Sequence, residues 1–214
     1  MPEIIAVNPH HPEQGLIDRA VKILKEGGVI AYPTETFYGL GVDAENAKAV
    51  ERIYAIKGRS FTNPIALIVA GQEDVERLVT EVAPEARKLM QAFWPGPLTL
   101  VFSAAPSVSL RLTAGTGRIG IRISSHPIAT ALARTLGRPL TATSANLSGQ
   151  AECQTADQVL TGLGDRIEAI VDGGETPGKA GSTVLDLAAQ PPVILREGMV
   201  PAALIHAALK KVHM

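Results

Sequence analysis

The sequence predicts a single α/β domain in which a mixed β-sheet is flanked by helices. Short apolar runs that suit buried strands are interleaved with stretches whose apolar residues fall at helical spacing. Several of the strand-like runs follow one another through loops alone, which argues for a mixed sheet over a fully parallel, doubly wound one. The chain has 214 residues, 46% of them hydrophobic, so one large domain can bury a sizeable core.

The elements follow in order. Residues 4–7 read as a first strand, and residues 8–14 as a polar turn. That turn holds His10 and His11, whose adjacent side chains diverge and suit solvent better than a metal. Residues 16–25 place Leu16, Ile17, Ala20, Val21 and Leu24 on one helical stripe, with Gly27 as the stop. The run 28–31 is a buried strand that ends at Pro33, which lacks a ladder N–H. Thr34, Glu35, Thr36 and Tyr38 then crowd a turn punctuated by Gly39 and Gly41. A strand that delivers hydroxyls into a glycine turn is one way to begin a small-molecule site, and an ordinary strand exit is the other reading.

Asp43 suits an N-cap for a helix reaching Ile56, with Ala47, Val50, Ile53 and Tyr54 as its buried stripe and Gly58 as its end. Lys57 and Arg59 bracket that glycine, which fits either compensation of the helix dipole or an anion clamp. Residues 65–69 form a strand, and residues 72–79 and 84–93 form helices, the second opened by Pro84. Trp94-Pro95-Gly96-Pro97 is a rigid break in which Trp94 packs into the core. Residues 98–102 form a strand and 104–117 a long loop.

Residues 118–123 alternate with period two. Their isoleucines share one face, and Arg118, Gly120 and Arg122 share the other. Two arginines in a buried-strand pattern need anionic partners, and Gly120 between them leaves room for a ligand. A helix over 127–136, a strand over 140–143 and the small polar run Ser144-Ala145-Asn146 follow. Thr155 and Gln158 fit a capping box for a helix to Leu163. Strands at 169–171, 182–187 and 193–195 surround a glycine loop at 172–181, read as a mobile lid. Pro201 opens a closing helix with Leu204, Ile205, Ala208, Leu209 and Val212 on one stripe.

Composition narrows the function. The net charge is −1, from 20 basic and 21 acidic residues, so a protein devoted to coating nucleic acid is not expected and any anion site is a local cluster. The single cysteine, Cys153, excludes an internal disulfide and a multi-cysteine metal site. No apolar run approaches the ~18 residues that span a bilayer, and the N-terminal residues lack a basic leader region. The expectation is a cytoplasmic protein with no membrane partner.

Residues 173–179 match the first seven positions of a phosphate-binding G-x-x-x-x-G-K-[ST] loop. The eighth position is Ala180, which cannot hold Mg²⁺, and a strand follows where that loop needs a helix. What remains is a set of strand-end loops carrying Thr34, Thr36, Lys57, Arg59, Asn63, Arg122, Ser144, Asn146, Ser182 and Arg196. Cations, hydroxyls and amides suit a polyanion such as a nucleoside triphosphate, with catalysis by positioning and charge stabilisation. No Ser-His-Asp or Cys-His set suggests a covalent nucleophile.

The chain resembles the YrdC-like domain family found in threonylcarbamoyl-AMP synthases. The resemblance rests on segments in family order: residues 33–41, Lys57-Gly58-Arg59 with Asn63-Pro64, residues 94–99, Arg122 with His126-Pro127-Ile128-Ala129, Ser144-Ala145-Asn146, Asp172-Gly173-Gly174, Gly181-Ser182-Thr183 and Arg196-Glu197-Gly198. It implies one domain over 1–214, with a core at about 13–200 and a C-terminal helix at 201–212, whose twisted sheet lines a deep, positively charged cavity. It implies that L-threonine, bicarbonate and ATP with Mg²⁺ give threonylcarbamoyl-AMP and pyrophosphate, for tRNA threonylcarbamoyladenosine modification by partner proteins. The resemblance assigns Thr36, Arg122 and Ser182 to L-threonine. It assigns Lys57, Arg59, Asn63, Ser144, Asn146 and Arg196 to the nucleotide, with Lys57 and Arg59 also catalytic.

Two departures stand out. Ile68 occupies a position where many synthases carry histidine, and Ser60 follows Arg59 where proline is usual. A second, C-terminal domain of longer relatives is not expected. The main alternative is a YciO-like paralogue that binds nucleotide or RNA, or that hydrolyses threonylcarbamoyl-AMP; a third reading is a plain RNA-binding module, which the near-zero net charge argues against and which a salt-steep affinity for double-stranded RNA would support.

Overall fold

The computed structural model describes residues 1–58 and 61–210. Its strands, in chain order, are β1 (Glu3–Ala6), β2 (Ile30–Tyr32), β3 (Gly39–Gly41), β4 (Ala66–Ile68), β5 (Leu98–Ser103), β6 (Arg118–Arg122), β7 (Leu140–Ser144), β8 (Ala169–Asp172), β9 (Thr183–Asp186) and β10 (Val193–Arg196). The helices are α1 (Gln14–Lys25), α2 (Ala47–Lys57), α3 (Gln72–Leu78), α4 (Pro84–Phe93), α5 (Leu110–Thr113), α6 (Pro127–Leu136), α7 (Ala156–Leu163) and α8 (Ala202–Lys210). Among the described residues ten strands form one sheet in the order β1-β8-β2-β3-β7-β4-β6-β5-β9-β10. Pairing is parallel at β1–β8, β8–β2, β4–β6 and β5–β9, and antiparallel elsewhere. The mixed sheet follows from the strands that succeed one another through loops.

Alternation along the strands divides the side chains between the two faces. Ile119 and Ile121 of β6, Leu98 and Leu100 of β5, and Leu67 of β4 join one core. Helices α2, α3, α4 and α7 pack there through Ile53, Val75, Leu89 and Val159. On the opposite face, α1 and α6 bring Ile17, Val21, Leu24, Ile128 and Leu132 against Ile30, Tyr32, Ile68 and Val171. These two helices cover only part of that face. Beyond them, β6, β5 and β9 are left without a helical lid, and Arg122, Thr99 and Val184 line a hollow.

Several local expectations change. Gly39 and Gly41 lie in strand β3, paired with β2 and β7, and not in a turn. Their value is closeness: a Cβ on Gly39 would meet the Tyr32 ring at 3.1 Å, and one on Gly41 would meet it at 2.7 Å. Asp43 does not cap α2; Asn46 does, accepting from the Ala49 amide at 3.2 Å. Asp43 is instead a buried carboxylate paired with Arg138 at 2.8 Å, and Ala47 is exposed. Gly58 ends the helix in the left-handed conformation, at φ 59°.

In α7, Thr155 caps the Gln158 amide, but the Gln158 side chain reaches back to the amide of Gln154, one residue earlier than a capping box requires. The expected loop over 104–117 contains the short helix α5. The loop expected to be a mobile lid is fastened: the Thr176 amide donates to the Gln154 carbonyl and the Gly178 amide to the Thr36 carbonyl. On α8, Ile205 is buried but Leu204 is 54% exposed, so the apolar stripe is narrower than the sequence suggests. Val212 lies outside the described residues.

Gly41→Ala is expected to cost about 1–3 kcal/mol, because the new methyl group collides with Tyr32 and Leu140 in a closed core. A chemical denaturation midpoint that matches the parent protein would contradict this packing.

Candidate functional site

The uncovered part of the sheet is the floor of a cavity of about 780 Å³. Three strands reach it by alternation. Strand β6 supplies Arg118, Gly120 and Arg122, β5 supplies Thr99 and Val101, and β9 supplies Val184 and Asp186. Loops and strand ends complete the wall with Thr34, Thr36, Lys57, Asn63, Ser144, Asn146, Ser182 and Arg196. Every described residue named as a candidate from the sequence therefore faces one hollow; Arg59 lies outside the described residues. Among the described lining residues, Lys57, Arg118, Arg122 and Arg196 oppose only Glu152 and Asp186, so the wall is net positive.

Lys57 ends α2 and is buried. Its ammonium donates to the Ser144 carbonyl, to the Asn146 carbonyl at 2.8 Å and to the Asn146 side-chain oxygen at 3.4 Å. One cation thus clips the end of α2 to the loop that follows β7. The Asn146 amide in turn donates to the carbonyls of Leu147 at 3.1 Å and Gln150 at 2.6 Å. Cys153 lies beneath this loop, with its thiol against the Ala145 carbonyl at 3.1 Å. Burial pushes the thiol's pKa up, and the nearby Lys57 charge only partly opposes that.

Arg122 meets a partner that the sequence pattern did not identify. Its guanidinium donates to Glu35 at 3.2 Å, and both side chains are largely buried. The second carboxylate oxygen of Glu35 accepts from the Ser124 hydroxyl, and Ser124 accepts from the His126 amide at 3.1 Å. Glu35 does not reach the cavity wall; it stands behind Arg122, which does.

The threonines on either side of Glu35 are polarised. Thr34 donates its hydroxyl proton to the Phe37 carbonyl at 2.7 Å, since a carbonyl can only accept. Its lone pairs receive the Thr36 amide at 3.1 Å and the Thr36 hydroxyl at 2.9 Å. Thr36 therefore turns lone pairs toward the cavity, ready for a ligand donor. Across the cavity, Arg196 grips the Ser182 carbonyl at 3.2 and 2.9 Å, and the Ser182 hydroxyl lies 2.9 Å from that of Thr99.

Sequence reasoning missed Thr99, Glu152 and Asp186 as wall residues, although alternation within 98–102 signals Thr99; Arg118 lines the wall on the strand face that the 118–123 pattern assigns it. Arg118 is paired with Asp186, a carboxylate that also accepts from the Ala188 amide at 2.9 Å. Ile68 contributes nothing to the wall; it is fully buried in the second core, on the same face of β4 as Ala66 but beneath the helices. Among the described residues no group of three or more His, Cys, Asp and Glu side chains could hold a metal ion, and no helix is long and apolar enough to cross a membrane.

A sequence model of the Sua5–YciO–YrdC family, described as telomere recombination, matches residues 22–198. The chain belongs to this family. Among relatives in the family, the threonylcarbamoyl-AMP synthase of Bacillus subtilis (strain 168) is 43% identical over 199 residues, which is 92% of this chain and 58% of that protein. The threonylcarbamoyl-AMP synthase of Pyrococcus abyssi is 42% identical over 189 residues, 88% of this chain and 56% of that protein. The chain thus spans 58% and 56% of the length of these two synthases. The structure of P. abyssi Sua5 complexed with L-threonine superposes with a TM-score of 0.93 at 40% identity, covering 96% of this chain and 60% of that one. E. coli YciO superposes with a TM-score of 0.87 at 32% identity, covering 94% and 98%.

Lys57 in the wall and His126 behind it each affect stability. Lys57 is buried, and its removal strands the Ser144 and Asn146 carbonyls. Lys57→Met is expected to cost about 1–3 kcal/mol, and an unchanged urea midpoint would refute the clip. His126 caps α6 by accepting the Ile128 amide on Nδ1 at 3.2 Å. Burial holds its pKa below the usual histidine value, although Glu35 pulls it up and His10 pushes it further down. The unfolded chain therefore binds a proton that the folded chain does not, and stability falls as pH drops below about 6.5. His126→Asn keeps a capping oxygen and should flatten that part of the stability–pH curve.

Proposed function

We propose that this chain is an L-threonylcarbamoyladenylate synthase. It joins L-threonine, bicarbonate and ATP into threonylcarbamoyl-AMP, releasing pyrophosphate. The observation that carries the reading is the convergence of cations and hydroxyls on one cavity of about 780 Å³, in a chain 43% identical to a protein named for this activity.

The chemistry asks for positioning and charge compensation. Bicarbonate takes up a proton and loses water to give carbon dioxide, and the neutral threonine amine adds to its carbon and gives up a proton, leaving a carbamate. A carbamate oxygen then attacks the α-phosphorus of ATP, and the bond to pyrophosphate breaks. Attacker and electrophile are both anionic, so Lys57, Arg59 and Arg196 reduce their repulsion. Mg²⁺ carried in with ATP would neutralise part of the phosphate charge that these side chains face. Asn63, Ser144 and Asn146 hold the nucleotide with them. Arg122 takes the threonine carboxylate on the guanidinium edge that Glu35 leaves open. Thr36 accepts from a donor of the amino acid, and Ser182 completes that end. The adenylate then passes to partner proteins of tRNA modification in the cytoplasm.

The decisive assay mixes the three substrates and measures both pyrophosphate and the carbamoylated nucleotide by mass. Release of pyrophosphate is expected only when all three are present. Equal ATP turnover without threonine would overturn the reading. Breakdown of supplied threonylcarbamoyl-AMP with negligible synthesis would point to the YciO-like alternative. Lys57→Met, assayed well below its unfolding temperature, should lose on the order of a hundredfold in kcat/KM.

A further inference from the structure

Glu35 is a charged group beside the cavity that the proposed reaction does not use and that is nonetheless held at both carboxylate oxygens. One carboxylate oxygen holds Arg122 at 3.2 Å and the other holds Ser124. Ser124 is itself tied to the start of α6, because Thr130 donates to its carbonyl at 2.8 Å while its hydroxyl receives the His126 amide. Both oxygens of Glu35 are thereby engaged, and its carboxylate sits behind the guanidinium that faces the hollow.

We infer that Glu35 is a specificity-determining residue that makes the Arg122 end of the cavity select a zwitterion over a simple anion. The inference rests on the proposed amino-acid site and deepens it. The reasoning is a balance of charges. Arg122 and Glu35 together are neutral. A ligand with a carboxylate alone, or a phosphate, gains Arg122 but is repelled by Glu35 in a poorly screened environment. An α-amino acid brings an ammonium as well as a carboxylate, so its positive end returns part of what its negative end loses to Glu35, and the net cost is smaller than for a simple anion. At the other end Lys57 is held by carbonyl and amide oxygens, a setting that suits polyphosphate. Glu35 never touches the ligand, so it acts through Arg122 and through its field.

The test is a ratio of affinities. L-threonine and 3-hydroxybutyrate, its counterpart without the amine, are titrated calorimetrically into the parent protein and into Glu35→Gln. The parent is expected to bind L-threonine at least tenfold more tightly than 3-hydroxybutyrate. Glu35→Gln should move the ratio about tenfold toward the simple anion, as expected for removing one charge several ångströms away at moderate screening. A purely structural role would weaken both ligands equally and leave the ratio where it was, which would overturn the inference. If Glu35→Gln fails to fold, the parent protein still decides, because equal affinity for the two ligands contradicts selection for a zwitterion. Absence of any L-threonine binding to the parent would instead sink the proposed amino-acid site, and the inference with it.

Discussion

One face of the sheet is only partly roofed, and the rest of the molecule is arranged around that shortfall. Helices α1 and α6 cover the side of the sheet formed by β1, β8 and β2. The strands β6, β5 and β9 keep a full hydrophobic cover on the opposite face alone. A strand in that position has to alternate in kind as well as direction, with isoleucine toward the core and arginine toward the hollow. Charges on the open side are partly buried, which is costly unless each is met. The structure meets them individually: Arg122 with Glu35, Arg118 with Asp186, Arg196 with the Ser182 carbonyl, and Lys57 with the oxygens of the Ser144–Asn146 turn. The pocket's positive character is what remains after this compensation.

Much of this was legible in the sequence, for physical reasons that differ from element to element. Helices α4 and α6 were readable to the residue because proline opens each and the apolar stripes are regular. The two-fold alternation over 118–123 exposed the inward arginines before any fold was known. Strand β3 was not readable, because a three-residue strand with glycine at both ends carries no side-chain signal. Its pairing is dictated by Tyr32, which fills the space that those glycines leave. Asp43 misled because an aspartate ahead of a helix looks like a cap until a distant arginine, Arg138, is seen to claim it.

The candidate site was legible as a set and illegible in its wiring. Small polar loops after apolar strands pointed to Thr36, Ser144 and Ser182 by composition. The partner of Arg122 could not be inferred, because Glu35 is 87 positions away and sits in a loop with no periodicity. Local reading also took Lys57 for a cation at the end of a helix. Its role as a clip emerges only when β7 and its loop are brought alongside, 87 and 89 positions on in the chain. The site is thus assembled from pieces with little local meaning, which is why cations and hydroxyls scattered over the whole chain converge on one hollow.

The phenol ring of Tyr32 occupies the volume that side chains at positions 39 and 41 would otherwise claim, and its hydroxyl donates to the Thr141 carbonyl at 2.9 Å. Three positions therefore share a single allotment of space across two paired strands. Enlarging either glycine is tolerable only if the tyrosine shrinks, and a smaller residue at 32 would open a void that two methyl groups could fill. These positions should drift together or not at all, so an alignment of close relatives ought to show correlated changes there even though none of the three is a candidate for the chemistry.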